Sequence, residues 1–319
     1  MERRDFLKTG TAALAALALS QDLVAAQKST GSPIPKRPLG KTGEDLSIFG
    51  FGGTAVMSIE QEEANRLVAE AYELGVNYYD VSPTYGNAED RLGPALQPYR
   101  KRCFLASKTD FRSKAETEVG LEKSLKTLRT DHFDLYQHHA VDKMSELNQI
   151  FGPNGAMEAF MAAKKAGKVR FLGLSTHSVE VATAAIDHGG LDTLMFPINY
   201  VLVTKSNFGP AVLEHARQKG VGFIAIKAMA RGKYAAGLAD NKKTPKCWYE
   251  PCTLPEEAAL AYRWTLSRPV TAAVPPGNPD WFRLALKLAQ GFQPITDGET
   301  KRLLSFMEGA DPLFPQEGA

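Results

Sequence analysis

From about Ile48 onward the chain repeats one pattern: a short apolar run rich in β-formers, a turn, then a longer amphipathic stretch. The apolar runs are Ile48–Gly50, Val76–Asp80, Cys103–Ser107, Phe133–His138, Val169–Leu174, Thr193–Phe196, Gly222–Ile226 and Thr271–Val274. Between them lie helical patterns such as Glu60–Leu74, Ala115–Leu128, Gly155–Ala166, Phe208–Lys219 and Pro255–Ser267. In the first, Ala64, Leu67, Val68 and Ala71 fall at helical spacing and form one buried face. Strand–helix alternation demands a parallel sheet, because each return to the same sheet edge needs a crossover helix. Eight such units in roughly 250 residues predict a closed (β/α)8 TIM barrel, since an open doubly wound sheet rarely sustains that many.

The remaining segments are additions to that barrel. Pro38–Ser47, with its Gly40-Lys41-Thr42-Gly43 turn, reads as an N-terminal hairpin before the first strand. Asp240–Cys252 is a long, polar loop after strand seven, and Thr296–Gly309 a trailing helix. The expected organisation is a leader at 1–26, a linker at 27–35 and a single barrel domain over 36–319. Composition narrows the function class: 38 basic residues against 36 acidic leave a net charge of +2. With no basic run interleaved with aromatics, nothing marks a nucleic-acid partner.

Residues 1–26 read as an address. Met1-Glu2-Arg3-Arg4-Asp5-Phe6-Leu7-Lys8 is followed by a soft apolar run from Thr11 to Leu19 and small residues at Ala25-Ala26. The run is about half the roughly 20 residues a membrane-spanning helix requires, so no stable membrane anchor is expected. Paired arginines before Asp-Phe-Leu-Lys resemble a twin-arginine export signal, with cleavage expected after Ala26 and the twin-arginine machinery as a partner. That route implies a periplasmic or otherwise exported protein and favours a redox protein carrying its cofactor.

Active sites of such barrels form where strands end. Strand two ends at Asp80, followed by Val81-Ser82-Pro83-Thr84-Tyr85; strand three leads to Lys108; strand four ends His138-His139. Three successive strands thus bring Asp80 with Tyr85, Lys108 and a histidine to one rim. A phenol, with pKa about 10, is a poor acid at neutral pH. An adjacent ammonium stabilises its phenolate and lowers that pKa, an aspartate holds the ammonium, and a histidine orients a carbonyl oxygen. Adjacent strand residues face opposite ways, so only one of His138 and His139 serves the site. Two histidines without a third ligand at recognisable spacing give no metal site.

These residues resemble those of the aldo-keto reductase family. Arg37-Pro38-Leu39-Gly40-Lys41-Thr42-Gly43 with Leu46-Ser47 is similar to the opening of bacterial members, and Gly50-Phe51-Gly52-Gly53-Thr54 to the loop after their first barrel strand. Asp80, Tyr85, Lys108 and His139 fall on the family's catalytic Asp, Tyr, Lys and His. The resemblance covers roughly residues 36 to 290 and implies a nicotinamide cofactor lying across the barrel top. It places Gly53, Thr54, Asp80, Ser175, Thr176, Met195, Lys227, Ala228, Met229, Arg231, Gly232, Pro276 and Gly277 along that cofactor. Thr54, Val56, Tyr85, His139 and Trp248 fall on the substrate side. Two positions depart from the family pattern. Thr176 stands where Asn is common, and Met195 where a glutamine usually bonds the carboxamide. NADP is the family's usual cofactor; no basic grip for a 2′-phosphate is evident at Pro276 or Trp281, Arg283 offers a substitute, and NAD stays open. Gly50-x-Gly52-x-x-Ala55 also fits a dinucleotide fingerprint, but no helix opens after it and no acidic strand end follows at the required distance.

Cys247 and Cys252 form either a small disulfide loop or two unpaired residues, and Trp248 and Tyr249 beside them are candidate pocket walls. The expected function is an exported, NAD(P)(H)-dependent aldo-keto reductase that interconverts a carbonyl and an alcohol, with carbohydrates or polyols as candidates, Tyr85 as general acid/base and cofactor retained after export. The alternatives are a non-catalytic nicotinamide-binding sensor or subunit, and a net non-redox epimerase or lyase. Oligomeric state and reaction direction are not legible.

Overall fold

The computed structural model describes residues 33–234 and 246–315. The expected leader and most of the linker lie outside the described residues, as does the first half of the expected loop after strand seven.

A two-stranded hairpin comes first, β1 (Lys36–Pro38) antiparallel to β2 (Asp45–Ser47). Eight parallel strands follow: β3 (Gly50–Gly52), β4 (Tyr78–Asp80), β5 (Phe104–Thr109), β6 (Phe133–His138), β7 (Val169–Ser175), β8 (Thr193–Pro197) and β9 (Gly222–Ile226) in sequential order. The eighth barrel strand is the last in the chain, after a second small hairpin of β10 (Ala230–Gly232) and β11 (Glu250–Pro251). This last strand, β12 (Ala272–Val274), pairs with β9, and a parallel Phe49–Ala273 bridge with Ala273 N–H donating to the Ile48 carbonyl at 2.9 Å closes the circle. The expected TIM barrel is therefore the fold observed.

Two apolar layers hold it. Tyr78, Phe104, Ala106, Leu135, Met195, Ile224 and Ala272 fill the barrel interior, and the hairpin adds Leu39 and Leu46 as a plug beneath them. The larger layer lies between strands and helices, where the Gln61–Glu73 helix buries Ala64, Leu67, Val68 and Ala71 as its spacing predicts.

The expected strands β6 and β9 match in both bounds. β5 runs further than expected, so Lys108 sits within the sheet rather than after it. The helix expected from Phe208 begins at Pro210, because Gly209 takes a left-handed φ of 104° and Pro210 supplies a first-turn residue with no amide to satisfy. The trailing helix spans only Asp297–Leu304, opened by a capping box between Thr296 and Glu299, and ends in a short 3-10 turn. The excursion after strand seven is pinched at its base by β10 and β11, which the sequence did not announce.

Candidate active site

The carboxyl ends of the strands surround a cavity of about 740 Å³. At its floor Asp80 ends β4, and its carboxylate pairs with the Lys108 ammonium from β5. Both are buried. Lys108 also donates to the Val81 carbonyl at 3.2 Å and lies 5.2 Å from the Tyr85 ring centroid. Asp80 is held by two groups sequence reasoning missed: the Tyr78 hydroxyl donates to it at 3.2 Å and the Gln137 amide at 2.8 Å. Gln137 is the inward-facing neighbour of Lys108 in the β5–β6 register, and only the closed sheet reveals its role.

The two histidines part as strand alternation requires. His138 points outward, fully buried, its ring stacked on Phe160 at 3.8 Å, and burial pushes its pKa down to about 3. His139 turns into the cavity, with Nε2 at 3.5 Å from the Tyr85 hydroxyl and Nδ1 at 2.9 Å from an Asp110 oxygen. Burial lowers its pKa despite the Asp110 bond.

The electrostatics differ from expectation at one point. Lys108 does draw the Tyr85 phenol down, but burial is the larger effect and the phenol's pKa is raised. For Lys108, burial pulls the ammonium down, and Asp80 with Tyr85 more than offsets it, so its pKa is raised. The lysine therefore stays charged, and the phenol stays protonated until a proton is drawn from it.

Ten of the residues expected at the cofactor and substrate lie on this one cavity: Thr54, Asp80, Tyr85, His139, Ser175, Met195, Lys227, Trp248, Pro276 and Gly277. Gly277 approaches the loop after β3 so closely that a Cβ would meet Thr54 Oγ1 at 2.5 Å. Lys227 follows β9 in a left-handed conformation (φ 63°), strained for a residue with a side chain, and its ammonium lies about 5 Å from the Trp248 and Tyr249 rings. Burial lowers its pKa to about 8. Among the described residues no carboxylate stands within ion-pair distance of it.

Other expected residues stand back from the cavity. Gly53, Val56, Thr176, Ala228, Met229 and Gly232 are buried behind it. The Thr176 hydroxyl is spent on Asp142 at 3.2 Å and on the Ser178 amide. Arg231 turns to the Glu308 carbonyl at 2.9 Å with Glu250 and Glu257 nearby, and Arg283 pairs with Glu63 on the surface. Cys247 and Cys252 are free and buried, so they are packing residues and not a disulfide. Trp248 is 61% exposed at the cavity rim, whereas Tyr249 is buried. The reading also missed Asp110, Asp142, His177, Lys246 and Phe314; the last comes from the C-terminal tail and meets the His177 ring at 5.0 Å. A larger open cleft of about 1050 Å³ at the opposite end is lined by Arg100, Lys101, Arg129 and Arg170 and holds none of the proton-transfer set.

A buried Asp–Lys pair next to a tyrosine and a histidine at a TIM-barrel mouth is an arrangement able to pass a proton to or from an oxygen. The chain belongs to the aldo/keto reductase family, a family of nicotinamide-dependent oxidoreductases, whose model matches residues 48–279. It is 29% identical over 218 residues to an L-galactose dehydrogenase of Arabidopsis thaliana, covering 62% of this chain and 66% of that protein. It is 26% identical to an aldo-keto reductase of Bacillus subtilis, YhdN, covering 64% and 62%. Thus it spans slightly less than two thirds of these two relatives' lengths. A solved putative aldo-keto reductase of Pseudomonas aeruginosa superposes with a TM-score of 0.66 at 26% identity, covering 84% of this chain and all of that one.

The residues present fit a nicotinamide cofactor in general terms. The proton-transfer set contains no hydride donor, and no side chain can supply one. Lys227, a half-buried cation on the cavity wall, matches an anionic group, and Ser175 offers a hydroxyl. The apolar Met195 and the occupied hydroxyl of Thr176 leave a carboxamide fewer partners than the family pattern provides.

Proposed function

We propose that this chain interconverts a carbonyl and an alcohol using NADP(H), or NAD(H), as hydride carrier. The observation that carries the reading is the convergence of Asp80, Tyr85 and His139 on one cavity, with Lys108 buried beneath it and paired to Asp80. The bound nicotinamide supplies hydride in reduction and takes it in oxidation. In reduction Tyr85 gives its proton to the carbonyl oxygen, and the buried Lys108 ammonium stabilises the phenolate left behind. Asp80, held by Tyr78 and Gln137, keeps that ammonium in place. His139 lies close enough to the phenol to fix the substrate oxygen between them. Thr54, Ser175, Met195, Lys227, Pro276 and Gly277 line the space for the cofactor, with Trp248 and Thr54 walling the substrate.

An aromatic wall beside polar groups suits a carbohydrate or polyol, and a sugar dehydrogenase among the relatives points the same way. We also read the N-terminus as a twin-arginine leader, so the enzyme works outside the cytoplasm. A retained cofactor, reduced by one substrate and oxidised by another, suits a compartment without a free nicotinamide pool.

Tyr85→Phe tests the acid. Turnover is expected to fall by about 10³-fold, within the range set by removing a proton donor, with cofactor affinity nearly unchanged. Undiminished turnover in steady-state assays would refute the assignment.

A further inference from the structure

Asp110 lies just beyond the end of β5, two residues after Lys108. Its Oδ1 stands 2.9 Å from His139 Nδ1. Two hydroxyls lie further from the same nitrogen, Ser82 Oγ at 3.4 Å and Thr84 Oγ1 at 3.5 Å, and these bond each other at 2.8 Å. The carboxylate is the shorter and stronger acceptor, and it accepts only while the nitrogen carries a proton. A neutral imidazole has one N–H, so a proton on Nδ1 leaves Nε2 bare.

We propose that Asp110 is a positioning residue for the reaction, fixing His139 as the Nδ1–H tautomer so that Nε2 accepts from the Tyr85 hydroxyl. The inference rests on the carbonyl–alcohol reading of the site. In alcohol oxidation the hydride passes to the oxidised nicotinamide and the alcohol proton passes to the Tyr85 oxygen. The phenol's own proton moves to His139 Nε2, and the resulting imidazolium is stabilised by the Asp110 carboxylate. Once product leaves, the imidazolium gives its Nε2 proton to water entering the cavity, which restores the Nδ1–H tautomer held by Asp110. Reduction runs the same path backwards from the imidazolium, whose Nε2–H can donate to the carbonyl oxygen as well as to the Tyr85 oxygen.

The charged and titratable groups around His139 are Lys108 and Asp110 from β5 and its end, and Asp80 and Tyr85 from β4 and its loop. Arg112 donates to the His139 carbonyl at 2.8 Å and fixes the backbone beneath the ring. Burial and Lys108 depress the imidazole's pKa, whereas Asp110 and Asp80 raise it. Removing Asp110 therefore lowers it further.

The test is ¹⁵N NMR of histidine-labelled holoenzyme, with the His139 signals assigned by their loss in His139→Gln, alongside the pH profile of kcat/KM. In the wild type His139 is expected to carry its proton on Nδ1. In Asp110→Ala the proton is expected to shift toward Nε2, the acid limb to move to lower pH, and the plateau to fall about tenfold in both directions. Asp110→Glu is expected to restore part of each, and cofactor affinity is expected to hold. An Nε2–H tautomer in the wild type overturns the inference. So does an Asp110→Ala enzyme with unchanged tautomer and unchanged acid limb. Failure of the underlying reading looks different: Tyr85→Phe would turn over normally whatever the tautomer of His139.

Discussion

Lys108 and Asp80 are nearly inaccessible to solvent, and their side chains meet at the floor of a largely apolar barrel. A buried ion pair contributes little net stability, but breaking one side strands a charge at a cost of about 3 to 5 kcal/mol. Lys108→Met leaves the Asp80 carboxylate with only the Tyr78 and Gln137 donors; Asp80→Asn leaves the ammonium with the Val81 carbonyl. Each single variant is expected to lose roughly that amount in urea unfolding. Asp80→Asn/Lys108→Met is expected to cost less than the sum, because no charge remains to be stranded. Strict additivity would mean that the two groups act separately. Tyr85 shows the limit of reasoning from neighbours alone: the ammonium beside it has the expected sign, yet burial dominates the phenol. Which effect wins depends on the depth of the pocket, and that is a property of packing.

The hairpin of β1 and β2 closes the barrel's lower end. Its turn glycine, Gly40, has φ 54°, and a Cβ there would lie 2.4 Å from the Gly222 nitrogen and 2.6 Å from the Gly220 oxygen. Backbone atoms cannot swing aside as a side chain can. Gly40→Ala combines a left-handed strain with this clash and is expected to destabilise the fold by about 2 kcal/mol, read as a lower urea midpoint. An unchanged midpoint would show that the plug is not seated on the start of β9. Elements were legible where periodicity is local, as in the Gln61–Glu73 helix and in β6 and β9. They were not legible where pairing joins distant short pieces. Ala230–Gly232 and Glu250–Pro251 form a ladder too short to leave a pattern.

At the scale of the molecule, the cavity draws residues from nearly every strand end, from the excursion after β9 through Trp248, and from the C-terminal tail through Phe314. Phe314 lies 5.0 Å from His177 and 5.5 Å from Phe208, bringing the tail over the barrel mouth. A site covered from several directions suits a cofactor held through many turnovers. Under the proposed export, protein recovered from the periplasm and denatured is therefore expected to release stoichiometric NADP(H) or NAD(H), identified by mass and absorbance. An empty protein would count against both the retained cofactor and the exported setting proposed for it.

The sequence by itself determined the barrel, because eight alternations of strand and helix admit few other closures, and it named the four candidate site residues because each lies at the carboxyl end of a strand or in the loop that follows it. It also set His138 and His139 on opposite faces, since alternation along a strand is local geometry, and the family resemblance pointed to His139. Only the tertiary structure decided what surrounds them. Gln137 and Tyr78 hold Asp80, Asp110 holds His139, Thr176 and Arg231 are turned to other partners, and Cys247 and Cys252 pack apart. These are contacts between segments remote in the chain, and their sign and strength follow from distance and burial, which no spacing along the sequence records.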